Sequence, residues 1–288
     1  MSRKIIFFDA DGTIVKGHGM SKLTLDAFKK LRENGHILVL STGRALSAID
    51  GVLEEMNFEN IICSAGGTVV VNNEIIYTNP MSKESKKELL DYFDKYNAVY
   101  NMESNDYIYI KKGQKEKYMR LFELPKKGEV SEEEYNAILH RRECISKRTK
   151  EIEDTSNIDI NKIHYYGADI LYDNNKCPLD YEKVIQDLGD KYNCVSLSFS
   201  KMFCGGEICE KGVSKKAGMA VILDYFNVNS EDIYAIGDDY NDIEMIDFAT
   251  TGIAMGHAPE EVKNHANYIT KDINNDGFYY AMKHFNLI

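Results

Sequence analysis

Several features are missing from this 288-residue chain, and each absence excludes a class of protein. No apolar run approaches the roughly 20 residues that a membrane-spanning helix needs. Only four successive apolar residues precede Asp9, too few for the apolar region of a signal peptide. We therefore expect a cytoplasmic protein without a membrane partner.

Positive charges are fewer than negative charges in this chain. Lys and Arg number 35 against 46 Asp and Glu, which gives a formal net charge of −11 at pH 7. Because phosphate contacts supply most of the affinity of nucleic-acid-binding proteins, this balance argues against a nucleic-acid partner. A phosphorylated substrate would need local positive charge, either from a metal ion or from specific Lys and Arg side chains.

Two common short motifs are missing as well. The six cysteines form no C-x-x-C pair, and we interpret them as reduced, mostly buried thiols rather than zinc ligands. No G-x-G-x-x-G follows the first apolar segment, which argues against a dinucleotide-dependent dehydrogenase. The chain also lacks internal repeats and low-complexity tracts.

What the sequence contains is an alternation of apolar strands and helical segments. It occupies the first 80 residues and returns from Gly212 onward, as expected for βαβ units and a parallel sheet. Ile5–Phe8 is a buried strand in this interpretation, and a helix is predicted over 45–56.

The middle of the chain differs. It is Lys/Glu-rich and helical in places, with tyrosine-rich strands between, and residues 149–161 are predicted to lack regular structure. We therefore predict an α/β core formed by residues 1–80 and 211–288. An inserted α+β domain with an antiparallel sheet is predicted over 81–210.

Polar residues lie where predicted strands end or helices begin in four separate places. These are Asp9 and Asp11, Thr42-Gly43-Arg44, Lys215 in the first turn of a helix with Ser214 as its N-cap, and Asp238 with Asn241 and Asp242. Each could separately be a turn, a solvated helix residue or a surface loop. Together they supply the nucleophile, the cation site and the donors that phosphoryl transfer requires.

The charges of these residues also suggest their partners. Asp9, Asp11 and Asp238 provide the oxygen ligands that Mg²⁺ prefers, and Asp242, one turn beyond Asp238, could join or support them. A lysine in the first turn of a helix opposes the helix dipole. The presence of Lys215 there is better explained by a bound anion than by helix stability.

The order of these motifs resembles that of the haloacid dehalogenase (HAD) superfamily. D-x-D-G-T at Asp9–Thr13, the strand-ending Thr-Gly-Arg, the Ser-Lys pair and G-D-x-x-N-D at Gly237–Asp242 carry the resemblance. The large insertion is similar to the C2-type cap of the Cof-like (IIB) phosphatases. The resemblance implies a Rossmann-like core with a cap domain, and Mg²⁺-dependent hydrolysis of small phosphomonoesters such as sugar phosphates.

The resemblance also implies a role for each motif residue. Asp9 would be the nucleophile that forms an aspartyl-phosphate, and Asp11 the general acid and base. The phosphate-binding residues would be Thr42, Gly43, Lys215 and Asn241. The metal site would consist of Asp9, Asp11, Asp238 and Asp242.

The chain departs from the subfamily near the expected substrate position. Ala65-Gly66-Gly67 replaces the usual Asn-Gly, and Gly256-His257-Ala258 replaces Gly-Asn-Ala. Arg44, Lys201 and His257 are candidates for substrate contact, and His257 could equally be an ordinary loop histidine. The sequence identifies neither the leaving group nor the oligomeric state.

Two alternatives to hydrolysis remain open. A phosphotransferase or phosphomutase would use the same aspartyl-phosphate, with another alcohol in place of water. A non-catalytic phospholigand-binding protein would have lost a motif carboxylate, and none is lost here.

Overall fold

The computed structural model describes residues 3–17, 19–126, 128–173, 176–198, 204–227 and 232–288. It divides into two compact units. Unit 1 consists of Met1–Gly43, Gly51–Tyr77 and Ser214–Ile288, and unit 2 of Arg44–Asp50 and Thr78–Val213. These limits lie within three residues of the proposed domain boundaries at 80/81 and 210/211. Arg44–Asp50, which was assigned to the core, groups with unit 2 instead.

The regular elements follow one another in chain order. The first part of the chain forms β1 (Ile5–Phe8), α1 (Lys22–Glu33), β2 (Ile37–Ser41), α2 (Val52–Glu55), β3 (Ile61–Cys63), β4 (Thr68–Val71) and β5 (Glu74–Thr78). The middle forms α3 (Lys83–Lys95), β6 (Val99–Glu103), β7 (Ile108–Lys111), α4 (Lys115–Met119), α5 (Glu132–Arg148), β8 (Thr149–Ile152), β9 (Lys162–Tyr166), α6 (Tyr181–Leu188), β10 (Tyr192–Ser198) and β11 (Cys204–Glu210). The last part forms α7 (Lys215–Phe226), β12 (Ile233–Gly237), α8 (Ile243–Phe248), β13 (Thr251–Ala254), α9 (Glu260–His265), β14 (Tyr268–Ile269) and α10 (Gly277–His284).

Unit 1 is built on an eight-stranded sheet in the order β14-β13-β12-β1-β2-β3-β4-β5. The strands from β14 to β3 pair in parallel, and β4 is antiparallel to β3. β1 lies in the middle and all four of its residues are buried, which explains its uninterrupted apolar sequence. On one side its Phe8 ring packs against Phe28, Phe58 and Phe278.

The prediction of one continuous helix over 45–56 is wrong. The structure has a short 3₁₀ turn at Leu46–Ala48 and the four-residue helix α2. Ile49 between them is extended, and Gly51 has φ +56°, so a continuous helix cannot pass through these two residues.

Unit 2 contains a six-stranded sheet in the order β10-β11-β9-β6-β7-β8. Its pairs are antiparallel except β7 with β8, which is parallel. The prediction that 149–161 lacks regular structure is therefore wrong at its start, where β8 forms. β8 is an edge strand with two exposed polar residues, Lys150 and Glu151, so it has no apolar run to reveal it.

The sheet of unit 2 contributes side chains to two apolar clusters. Tyr100, Met102, Tyr165 and Ile208 belong to one apolar cluster, which also contains residues of α3 and α6.

Among the helices of the described residues, none is both long and apolar enough to cross a bilayer.

Candidate active site

Three neighbouring strands of unit 1 bring the first motif residues to one edge of the sheet. Phe8, the last residue of β1, pairs with Leu40 of β2 on one side and Ile236 of β12 on the other. Asp9 comes next and donates its backbone N–H to the Ile236 carbonyl at 3.0 Å. The segments that follow these strands therefore leave the sheet side by side, where open α/β sheets bind their ligands.

Lys215 connects two of the motif carboxylates. Its Nζ lies 2.5 Å from Asp9 Oδ1 and 2.6 Å from Asp242 Oδ1, and its side chain has no exposed surface. The helix that carries it begins at the predicted N-cap, since Ser214 Oγ accepts a hydrogen bond from Ala217 N. A buried ammonium group is tolerated because two carboxylates surround it.

Asp242 has a second set of partners. Its Oδ2 accepts hydrogen bonds from the backbone N–H groups of Asp238 and Asp239, at 2.9 and 3.1 Å. The same carboxylate thus closes a capping box at the start of the 3₁₀ turn Tyr240–Asp242 and binds Lys215. Gly237 is required beside it, because a Cβ at that position would lie 2.4 Å from Asp242 Cγ.

Asp238 is held by the turn that follows β1. Thr13 donates a hydrogen bond from Oγ1 to Asp238 Oδ1 at 2.7 Å. Gly12 has φ +94°, and a Cβ there would lie only 2.1 Å from Asp238 Oδ2. The sequence D-G-T therefore places Asp238 against a residue without a side chain and next to a hydroxyl donor.

Burial and neighbouring charges shift the pKa values of these groups. Burial, together with Asp242 and Asp238, raises the pKa of Asp9 well above its usual range, although Lys215 opposes this shift. Burial and Asp242 raise the pKa of Asp238 to about 7. Burial alone would lower the pKa of Lys215, but Asp242 and Asp9 outweigh it and raise that pKa.

The carboxylate cluster fits a hard divalent cation. Asp9, Asp238 and Asp242 each offer an oxygen within 4.8 Å of the others. The set consists of oxygen ligands alone, which suits Mg²⁺. Burial and the neighbouring carboxylates raise the pKa of both Asp9 and Asp238, and a cation would stabilise their ionised forms.

The remaining predicted catalytic and phosphate-binding residues are Asp11, Asn241, Thr42 and Gly43. Asp11 is exposed in the turn after β1, and Asn241 is half-buried beside Asp242. Thr42 is buried and its backbone N–H bonds to the Ile62 carbonyl at 2.8 Å, with Gly43 directly after it.

Two of the three candidates for substrate contact lie in the described part of the structure. Arg44 pairs with Asp50 at 2.9 Å inside unit 2. His257 Nε2 lies 3.5 Å from Asp238 Oδ2, within the carboxylate cluster of unit 1. Lys201 lies outside the described residues.

Sequence reasoning missed the contributions of Gly12, Thr13 and Gly237. All three stand inside the two acidic motifs, so the motifs themselves were the available signal. What they do depends on contacts between β1 and β12, which the sequence does not reveal.

The fold and this carboxylate–lysine site together define an α/β enzyme whose core is interrupted by a second sheet-containing unit. A sequence model of the haloacid dehalogenase-like hydrolases matches residues 6–282, and the chain belongs to that family. The predicted family and the predicted enzyme class, a hydrolase, are therefore confirmed.

Several known proteins are similar over their whole length. YkrA of Bacillus subtilis (strain 168) is 27% identical over 293 residues, 100% of each chain. YitU of the same organism, a 5-amino-6-(5-phospho-D-ribitylamino)uracil phosphatase, is 24% identical over 98% of this chain and 97% of its own. The solved structure of the HAD subclass IIB sugar phosphatase BT4131 has a TM-score of 0.74 at 23% identity, covering 99% of this chain and 100% of its own. This likeness confirms the predicted fold class.

Proposed function

We propose that the protein is a Mg²⁺-dependent phosphatase that hydrolyses small phosphomonoesters through an aspartyl-phosphate on Asp9. The observation that carries the proposal is the buried contact of Lys215 with Asp9 and Asp242, at the edge where β1 and β12 end. Family membership and the names of the full-length relatives, among them phosphatases, support the same reaction class.

The reaction has two steps. A carboxylate oxygen of Asp9 attacks phosphorus and forms the aspartyl-phosphate, while the ester oxygen leaves with a proton from Asp11. Asp11 then takes a proton from water, which attacks the same phosphorus and releases inorganic phosphate and free Asp9. The exposure of Asp11 suits a group that exchanges protons with both the leaving alcohol and water.

Lys215 is assigned to the transferring phosphoryl group. An ammonium group has three donors, and two of them bind Asp9 and Asp242. The third is the donor we assign to a phosphoryl oxygen, with Thr42, Gly43 and Asn241 as further contacts. Local positive charge of this kind is what a chain with net charge −11 needs in order to bind a phosphate.

Mg²⁺, when bound, would neutralise phosphoryl charge and orient the ester. Asp9, Asp238 and the backbone carbonyl of Asp11 would hold it. Oδ2 of Asp242 already accepts two backbone hydrogen bonds, Oδ1 is bound to Lys215, and the side chain has no exposed surface. We therefore assign Asp242 a supporting role rather than direct ligation.

Small phosphorylated metabolites are the substrate class that we propose. Sugar phosphates and similar phosphorylated metabolites agree with the relatives, one named for a phosphoribitylamino-uracil and one for sugar phosphates. A screen should therefore include hexose phosphates, 5-amino-6-(5-phospho-D-ribitylamino)uracil, flavin mononucleotide and pyridoxal phosphate, each with Mg²⁺ and with EDTA. Phosphate release without an acceptor alcohol separates hydrolysis from transfer.

The decisive variant is Asp9→Asn. It keeps the size of the side chain but removes the nucleophilic charge, so we expect phosphate release to fall by at least about 10⁴-fold, since the covalent step is lost. Circular dichroism should show that the variant still folds, although with lower stability, because Lys215 keeps Asp242 as a charged partner. Hydrolysis at the wild-type rate by this variant would overturn the proposed mechanism.

A further inference from the structure

The turn that carries His257 has a fixed position beside the carboxylate cluster. Met255 N donates to the Gly237 carbonyl at 3.0 Å, which ties the turn to the residue just before Asp238. Gly256 N donates to the Lys271 carbonyl at 3.1 Å, which ties the same turn to the segment before α10. The backbone of His257 is therefore held from both sides.

The hydrogen bonds of the His257 ring indicate which nitrogen carries the proton. Nδ1 accepts a hydrogen bond from the backbone N–H of Ile273 at 3.4 Å. In the neutral ring the proton therefore lies on Nε2, the nitrogen 3.5 Å from Asp238 Oδ2. The same ring lies close to the backbone of Gly12, the residue that packs against Asp238 Oδ2.

Asp238 therefore has a hydrogen-bond donor at one oxygen and the imidazole of His257 close to the other. Thr13 Oγ1 donates to Oδ1 at 2.7 Å, and the protonated Nε2 of His257 faces Oδ2. A hydroxyl donor and a neighbouring imidazole from different segments restrict the orientation of a carboxylate, and each oxygen keeps a lone pair for another partner. Groups of this kind orient a metal ligand without binding the metal themselves.

We propose that His257 is a positioning residue for the cation site: it holds the Asp238 carboxylate in the orientation that binds the metal, rather than contacting the leaving group. The inference rests on the proposed function, because it takes Asp238 as a ligand of Mg²⁺. The protonated nitrogen facing the carboxylate also argues against direct metal ligation by the ring.

Metal binding measured without substrate tests the proposal. The affinity for Mg²⁺ is measured by isothermal titration calorimetry, and that for Mn²⁺ by the loss of the free-ion signal in electron paramagnetic resonance. We expect His257→Ala to weaken both by roughly tenfold, the usual effect of losing such a partner. At saturating metal, its KM for the phosphate ester should equal that of the wild type. His257→Gln, which retains a donor group, should recover most of the affinity.

Matched variants separate the possible failures. His265→Ala removes an exposed histidine of the same unit that pairs with Asp247, and it should leave metal affinity unchanged. Asp238→Asn should abolish metal binding; if it does not, the proposed function fails and not only the role of His257. Unchanged metal affinity in both His257 variants would overturn the inference. A raised KM in those variants would then identify a substrate contact, and an unchanged KM an ordinary loop histidine.

Discussion

The central residue of the site is Lys215, whose charge is removed from water and balanced by two carboxylates. An unpaired buried ammonium group would be very costly, so Asp9 and Asp242 are needed for the fold as well as for the chemistry. Asp242 contributes more to the stability of the fold than Asp9 does, because it also caps the turn after β12. Asp9, near Asp238, remains the carboxylate that faces the proposed cation.

Asp242→Asn should be strongly destabilising. The amide can still accept from the backbone but cannot neutralise Lys215, so we expect a loss of about 3 kcal/mol in the free energy of unfolding. Urea unfolding followed by circular dichroism measures it. The control is Glu33→Gln, which removes an exposed pair with Lys29 and should cost less than about 0.5 kcal/mol. Equal losses in the two variants would contradict the buried pairing.

His36 gives unit 1 a pH dependence of known sign. Its Nδ1 accepts from Lys4 N at 3.1 Å and its Nε2 faces the Leu287 carbonyl at 3.2 Å, an arrangement that requires the neutral ring. Burial lowers the pKa of His36 below its ordinary 6.5, although the Leu287 carbonyl opposes the shift. The unfolded chain thus binds the proton more readily, and stability is lost as the pH falls below about 6.5.

The measurement compares the wild type with His36→Gln by urea unfolding at pH 8 and pH 5.5. We expect the wild type to lose more stability between these two pH values than the variant, because the other titrating groups are common to both. A variant that loses as much stability as the wild type would show that His36 does not titrate in this range.

At the level of elements, the connection from β3 to β4 contacts the N-terminus of α7, the helix that begins with Lys215. Ser64, Ala65 and Gly66 have φ values of 51°, 55° and 107°, so three successive buried residues lie in the left-handed region. Gly66 touches the backbone of Ser214, since a Cβ there would lie 2.0 Å from its carbonyl oxygen. The strained turn therefore fixes the N-cap of α7, and through it Lys215.

Gly66→Ala should affect both stability and turnover. The left-handed conformation costs about 1–2 kcal/mol for alanine, and displacement of Ser214 adds to this. We expect a total near 3 kcal/mol by urea unfolding, with a lower kcat because Lys215 moves. Gly35→Ala is the control, because Gly35 also has positive φ (+76°) but no atom near the added Cβ. If both variants lose the same stability and keep the same kcat, the contact with Ser214 has no role.

The elements differ in how far the sequence predicted them. β1 could be predicted because burial on both faces leaves an uninterrupted apolar run, and the N-cap at Ser214 because capping is local chemistry. The helix over 45–56 failed because the backbone at Gly51 overrides helical spacing. β8 was missed because its pairing with β7 is a tertiary contact between polar sequences.

At the scale of the whole molecule, unit 1 is assembled from three separated segments of the chain. β1 from the first segment pairs with β12 from the last, and this pairing brings Asp9 to Asp238. The sequence could predict the acidic residues, since both motifs follow apolar strands. It could not predict the contact of Gly12 with Asp238, or the shared lysine, because these depend on how distant segments pack.

A ligand at this site should stabilise the unit that contains it. Binding to the folded state alone adds about 2.7 kcal/mol to the free energy of unfolding at a ligand concentration of one hundred times Kd. We therefore expect Mg²⁺ with inorganic phosphate to slow hydrogen exchange in β1, β12 and α7, and EDTA to reverse the effect. The buried amides of β6 and β9 in unit 2 serve as the internal reference. Protection that arises only in β6 and β9 would place the ligand in unit 2 and contradict the site at Asp9, Lys215 and Asp238.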